Sequence, residues 1–372
     1  MDMMEGKDLP ASAGERVIFA RCSGQDDNIG DIVLRRRMLR EFRAFGSVRV
    51  YCRRPSVGFI EGLRLSQRDR LYTNFDEWCA AMRAAPASKV VMIDNPGELS
   101  VTRHVLMTQL RLLPTLRRIV RAGGLVLRVG VGASRPPGAL RRPFHFAFQY
   151  HRPFHWRDAT SRDAFGFGEV MPDWGFADDG PDALVPCARS SETRDQLTVA
   201  LRFDRPYPQR PWFDGVTDFC GRANLRPVVV TQVRRDREVA ARLAKDLQAD
   251  FVDWNADESH VEQERKLRAV YRRCRVSISD RLHVLIVSMT EGAIPICLVD
   301  REERKIERHF AAIGYPGTSV NVAGQDAGAI SNLMTGVLDR AAEIQRCGEQ
   351  ARASIDRVSR DLHRLLGDQG RG

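Results

Sequence analysis

The 372-residue sequence has no Cys-x-x-Cys pair, no His-Glu-x-x-His, no Gly-x-x-x-x-Gly-Lys-Ser/Thr loop and no ordered Gly-x-Gly-x-x-Gly. Those gaps leave no motif for a zinc peptidase, a P-loop hydrolase or a dinucleotide-binding turn. Gly123-Gly124 and Gly130-Val131-Gly132 read as turn glycines. The acidic pairs Asp26-Asp27 and Asp178-Asp179 lack a second cluster, so no metal is expected. No apolar run approaches the roughly 18 residues of a membrane span, and Met1 to Gly14 is polar, without the apolar stretch of a signal peptide. The eight cysteines, several in apolar runs such as Ile296-Cys297-Leu298, read as reduced core residues. A cytoplasmic protein is expected, one that meets any lipid-linked substrate from the inner face of the membrane.

Charge is less evenly missing. Lys and Arg number 58 against 48 Asp and Glu, a formal charge of +10, which favours an anionic partner of some kind. The basic residues are scattered through helical segments such as Arg35-Arg36-Arg37, with no basic tail and no interleaved aromatics. Nucleic acid is therefore not expected as a partner, and an anionic substrate or membrane surface remains.

Short β-rich runs alternate with helical periods along the whole chain, the pattern of parallel sheets with crossover helices. Strands are predicted at Arg16 to Ala20, Val48 to Tyr51, Lys89 to Ile93 and Leu125 to Val131, with helices at Ile32 to Phe45 and Val101 to Arg121. Pro114 should kink or divide the second helix. Gly130 to Gly138 and the aromatic run Pro143 to Trp156 should form a long loop region of the sort that borders active sites. Strands resume at Leu197 to Leu201, Pro227 to Thr231, Asp250 to Asp253, Arg275 to Ser279 and Ile294 to Leu298. Two Rossmann-like doubly wound domains are expected, residues 1–190 and 191–372, facing one another across a cleft, with the boundary near Pro186 to Thr193. The segment after Gln325 should be helical, with Ile355, Val358, Leu362 and Leu365 as one apolar stripe. Ligands in such sheets bind beyond the carboxyl ends of the strands.

The chemistry-bearing residues are sought there. Ser279-Asp280-Arg281-Leu282-His283 follows an apolar strand and opens a helix, where backbone N–H groups favour an anion and Arg281 offers a fork for carboxylate or phosphate. His283 is the side chain there able to move a proton near neutral pH. The same pair could instead simply cap and pack the helix. Asn28, Gly30 and Asp31 lie between the first strand and first helix, where a cap is needed with or without a ligand. Arg202 ends a strand, and Lys305 follows one within an ordinary charge cluster that includes Arg301 and Arg304. Arg157 and Asp158, with Ser161, form a further candidate.

Taken in order, Asn28-Ile29-Gly30-Asp31, Trp156-Arg157-Asp158 with Ser161, Pro172-Asp173-Trp174-Gly175-Phe176, Leu201-Arg202, Ser279-Asp280-Arg281-Leu282-His283, Gly292-Ala293-Ile294-Pro295 and Lys305-Ile306 resemble the polysaccharide pyruvyl transferase family. The resemblance runs from about residue 16 to 316, and Arg281-Leu282-His283 with Pro295 and Lys305 is its most specific part. It departs from the family at Val91-Met92-Ile93-Asp94-Asn95-Pro96-Gly97, where many members carry a Gly-rich turn. The resemblance implies a fold similar to the GT-B glycosyltransferases, phosphoenolpyruvate as donor, a sugar acceptor and no cofactor. It places His283 as the proton-transfer residue and Arg281, Leu282, Arg202, Lys305, Asn28, Gly30, Asp31, Arg157 and Asp158 in substrate binding. The rival readings are a nucleotide-sugar glycosyltransferase on the same architecture and a non-catalytic binding protein of a polysaccharide assembly complex.

Overall fold

Runs such as Val90-Val91-Met92-Ile93 and Ile294-Pro295-Ile296-Cys297-Leu298-Val299 are buried along their whole length. Strands covered on both faces read this way, as in parallel sheets flanked by helices. The computed structural model describes residues 15–182 and 194–368 and contains two such sheets. The expected boundary at Pro186 to Thr193 lies outside the described residues.

The first sheet contains β1 (Arg16–Arg21), β2 (Gly46–Tyr51), β3 (Arg70–Tyr72), β4 (Val90–Ile93), β5 (Gly97–Leu99), β6 (Leu125–Ala133), β7 (Phe154–Trp156) and β8 (Glu169–Val170). Its order is β3-β2-β1-β4-β6-β7-β8, with β5 also paired to β6. The second contains β9 (Gln196–Ala200), β10 (Arg226–Val230), β11 (Asp250–Val252), β12 (Cys274–Ser279), β13 (Ile294–Val299) and β14 (Ser319–Asn321), in the order β11-β10-β9-β12-β13-β14. All these pairings are parallel. In the second sheet this is the dinucleotide-fold order, reversing between β9 and β12.

The chain divides into two units, each described by itself. One comprises residues 15–26, 34–174 and 354–368; the other comprises 27–33 with the described part of 175–353. The expected division at 190/191 is thus shifted to 174/175. Two segments also cross it, because the Ile29–Phe42 and Ala341–Asp368 helices each begin in the second unit and end in the first. A helix long enough to serve two cores gives no composition break where it changes allegiance.

One alternative for Pro114 and one loop expectation fail locally. Pro114 neither splits nor ends its helix, which runs unbroken over Arg103–Arg121 with Pro114 on the exposed side. The aromatic run is no long loop: Arg141–Ala147 is helical, Phe154–Trp156 is β7, and Phe144, Phe148, Phe154, Trp156 and Phe165 form one buried cluster. Ring centroids in it lie 4.6 Å apart for Trp156 and Phe165 and 5.5 Å for Phe144 and Phe148. Aromatic area at that density is core. In the C-terminal helix the buried residues include Ile355, Leu362 and Leu366, while Val358 and Leu365 are only half-buried. Seven of the eight cysteines are described, and all seven are buried free thiols.

Candidate functional site

β9 and β12 lie side by side where the second sheet reverses, so their carboxyl ends bring Arg202 and the Ser279 to His283 segment together. The turn after β12 is tied to β9 by small polar groups. The Ser279 hydroxyl donates to the Ala200 carbonyl at 2.5 Å and accepts from the Arg281 N–H at 2.9 Å. Asp280 accepts from the Arg202 N–H at 2.9 Å and from Arg301 Nη2 at 2.8 Å. Burial pushes the Asp280 carboxyl above its ordinary range, against the pull of the Arg202 N–H and Arg301.

Arg281 stands just before the Leu282–Thr290 helix but makes no side-chain cap. Its fork is turned to Asp236, with Nε at 2.8 Å and Nη2 at 2.6 Å from the two carboxylate oxygens. Asp236 also accepts the Phe203 N–H at 3.1 Å. Arg202 is engaged as well, donating from Nε and Nη2 to Asp204 at 2.8 and 2.7 Å. Hydrogen bonding to Asp204 raises the Arg202 pKa against the opposing effect of partial burial, and the same bond holds the Asp204 carboxyl down at about 2. Leu282 is buried beside them.

The Asn28 to Asp31 segment belongs to the same unit as His283. Asn28 forms an antiparallel bridge with Val233, the Asp27 carbonyl accepts the Arg234 N–H at 2.9 Å, and the Asp27 carboxylate pairs with Arg235. The Asn28 side-chain oxygen accepts the Gly30 N–H at 3.0 Å, the usual work of an N-cap residue. Gly30 lies so close to His283 that a Cβ on it would come within 2.3 Å of the His283 Cβ. Asp31 sits in the first turn of the helix that starts there.

The remaining expected site residues are Arg157, Asp158 and Lys305. Arg157 and Asp158 belong to the first unit. Arg157 is buried against Asp173 at 2.7 Å and against Glu98. Burial opposes its charge, but those two carboxylates overcome it and raise its pKa. Asp158 caps the Ala159–Phe165 helix and accepts the Ser161 hydroxyl at 2.7 Å. Lys305 is half-buried in the first turn of the Arg304–Ala311 helix, its N–H 3.3 Å from Glu303. The cation that the loop after β13 delivers to the β9–β12 edge is Arg301, which the sequence placed in a solvated cluster. Asp236 and Asp204 were also missed. Their signal was position, since each follows the carboxyl end of a strand.

Among the described residues no group of three or more His, Cys, Asp or Glu could hold a metal ion, and no helix is long and apolar enough to cross a membrane.

Two parallel sheets with alternating helices define a pair of Rossmann-like units of the GT-B kind. Solved structures agree on the fold. Anabaena HepE, in complex with UDP and glucose, is 9% identical with a TM-score of 0.52, covering 95% of this chain and 100% of its own. The UDP-GlcNAc 2-epimerase of Neisseria meningitidis, bound to UDP-GlcNAc, is 9% identical with a TM-score of 0.54, covering 94% and 99%. No family model matches the sequence, and neither does any curated protein.

Proposed function

We propose that the chain is a sugar-modifying transferase that moves the pyruvate unit of phosphoenolpyruvate onto a sugar as a ketal. The observation that supports this most is the contact of Gly30 with His283. Two motif blocks of the pyruvyl transferase resemblance, far apart in sequence, meet at the switch point of one sheet. In the proposed reaction a proton is delivered to the donor's methylene carbon, and one sugar hydroxyl attacks the cationic carbon beside it. Phosphate leaves, and a second hydroxyl closes the ketal. His283 is the proton carrier, and Arg281 and Arg202 stabilise the donor's anionic groups. The proposed place of action is the cytoplasm, with a lipid-linked acceptor met at the membrane's inner face.

The second reading is a nucleotide-sugar glycosyltransferase. The fold likenesses by themselves weigh toward it, because both neighbours were solved with a uridine nucleotide or its sugar. The motif order weighs toward phosphoenolpyruvate. The test is phosphate release from phosphoenolpyruvate with a panel of galactosides, glucosides and mannosides, run beside UDP- and GDP-sugars. Phosphate release is expected with at least one acceptor, and His283→Ala should lose roughly two to four orders of magnitude of it while keeping donor affinity. Sugar transfer from a nucleotide donor, with phosphoenolpyruvate inert, would establish the second reading. Ligand binding without turnover of either donor would indicate a binding protein.

A further inference from the structure

The formal charge of +10 is not spread along the chain. Residues 99–157 contain eleven arginines and no lysine, aspartate or glutamate, so this segment alone carries +11. Outside it 47 Lys and Arg face 48 Asp and Glu, and the remainder is close to neutral. The arginines are scattered, but here the carboxylates stop. A block of one sign in an otherwise balanced chain points to a partner of the opposite sign.

The segment lies wholly in the first unit. Two of its arginines are neutralised inside that unit, Arg128 by Asp94 and Arg157 by Asp173 and Glu98. The other nine are exposed, and none forms an ion pair among the described residues. Arg118, Arg135 and Arg141 reach only backbone carbonyls. In the second unit, by contrast, the exposed Arg210, Arg237 and Arg304 each meet a carboxylate.

The Arg103–Arg121 and Arg141–Ala147 helices pack into one apolar cluster through Leu106, Leu110, Phe144 and Ala147. Their outer faces are not simply polar. Met107 is 51% exposed and Phe146 59% exposed. Arg103 and Arg111 stand one turn to either side of Met107, and Arg142 stands one turn before Phe146. Arg103, Met107, Arg111, Pro114, Arg118 and Arg121 follow one another at spacings of three and four, so they share one exposed stripe. A lone apolar side chain on a surface needs no explanation. Set among unanswered arginines on two adjoining helices, it has the pattern of a bilayer-facing surface, with cations at headgroup level and apolar tips below them. Nucleic acid would match the charge but gives Met107 no apolar layer to enter.

We propose that the outer faces of these two helices dock on an anionic lipid bilayer, the arginines on headgroup phosphates and Met107 and Phe146 at the acyl boundary. The inference rests on the reading that the acceptor is lipid-linked and met at a membrane's inner face.

The experiment is co-sedimentation of the full chain with vesicles of phosphatidylglycerol and phosphatidylcholine in equal parts, and with vesicles of phosphatidylcholine alone, beside a titration with single-stranded RNA. The wild type should bind the mixed vesicles, release them as salt rises, and leave phosphatidylcholine vesicles and RNA largely unbound. Arg103→Glu/Arg111→Glu should weaken vesicle binding by about a hundredfold, since two cations become two anions at the surface. Arg210→Glu/Arg304→Glu makes the same change in net charge on the second unit and should weaken it by less than about threefold. Met107→Ser/Phe146→Ser should weaken it by about tenfold through lost apolar burial. All the substituted residues are exposed, so each variant should keep the wild-type circular dichroism. No binding to the mixed vesicles, an equal loss in the two charge-reversed proteins, no loss in Met107→Ser/Phe146→Ser, or RNA held more tightly than vesicles would each overturn the proposal. Vesicle binding needs no donor. Phosphoenolpyruvate proving inert while the vesicle results hold would refute the pyruvyl reading and leave the docking surface standing; phosphate release with soluble sugars but no vesicle binding would do the reverse.

Discussion

A methyl group on Gly30 would lie 2.3 Å from the His283 Cβ, 2.8 Å from Cγ and 2.9 Å from Nδ1, closer than real side-chain atoms approach. Neither side yields readily, since Gly30 is fixed by the Asn28 cap and His283 lies in the first turn of a helix. Overpacking of this kind costs roughly 1–3 kcal/mol. Gly30→Ala should therefore lower stability by that amount and slow turnover as the imidazole is displaced. In a His283→Gly background the obstructing atoms are gone, so the stability cost of Gly30→Ala should shrink while activity stays lost. Urea unfolding of the four proteins measures this coupling, and an equal cost in both backgrounds would show that the contact does not decide it. Gly30 and His283 were each legible in the sequence as candidates, because each follows a strand and opens a helix. Their contact was not, because no local pattern joins residues so distant. Arg301 and Arg281 show the converse: their type was plain, but the carboxylates that answer them, Asp280 and Asp236, are chosen by the fold.

The parallel strands were the most readable elements, because burial on both faces leaves unbroken apolar runs such as those of β4 and β13. Three of the four edge strands were not, β11 being the exception. β3, β8 and β14 have three residues or fewer and little apolar signal. The aromatic run after β6 was misread because proline and glycine around it outweighed Phe144, Phe148 and Phe154, which pack as core once the helix and β7 bring them together. Pro114 does not divide its helix, for a related reason. A proline in a helix interior costs about 3 kcal/mol relative to alanine, which argues for a break unless packing repays it. Here Leu106, Leu112, Leu116 and Ile119 bury one face of the helix and keep it whole. Pro114 is exposed, so Pro114→Ala should raise stability. The gain should be on the order of 2 kcal/mol, after the looser unfolded chain returns up to about 1 kcal/mol. A lower urea midpoint for this variant would show that the proline ring itself supports the packing.

Across the whole molecule, acid should act on the first unit through a buried charge cluster beside β4. Asp94, fully buried, takes Arg21 at 2.9 Å and also Arg128, and His151 Nε2 lies 3.7 Å away. Burial, then the Arg128 charge, holds the His151 pKa well below its ordinary 6.5, despite the carboxylate. Its two ring nitrogens have no hydrogen-bond partner among the described residues, so the neutral form is the one that fits. His155, in the same unit, is shifted the same way, chiefly by burial. The sign follows directly. Above about pH 6.5 both histidines are neutral folded and unfolded, and neither affects stability. Below it the unfolded chain takes protons that the folded chain refuses, so stability falls as pH drops toward the depressed folded values. Each histidine fully resisting protonation contributes about 1.4 kcal/mol per pH unit to that fall. Urea midpoints measured from pH 7.5 to 5 should therefore decline below pH 6.5. His151→Phe, which cannot take a proton in either state, should decline less steeply, whatever its stability at pH 7.5. Parallel curves for the two proteins would show that His151 takes its proton in the folded state, with Asp94 outweighing burial and Arg128.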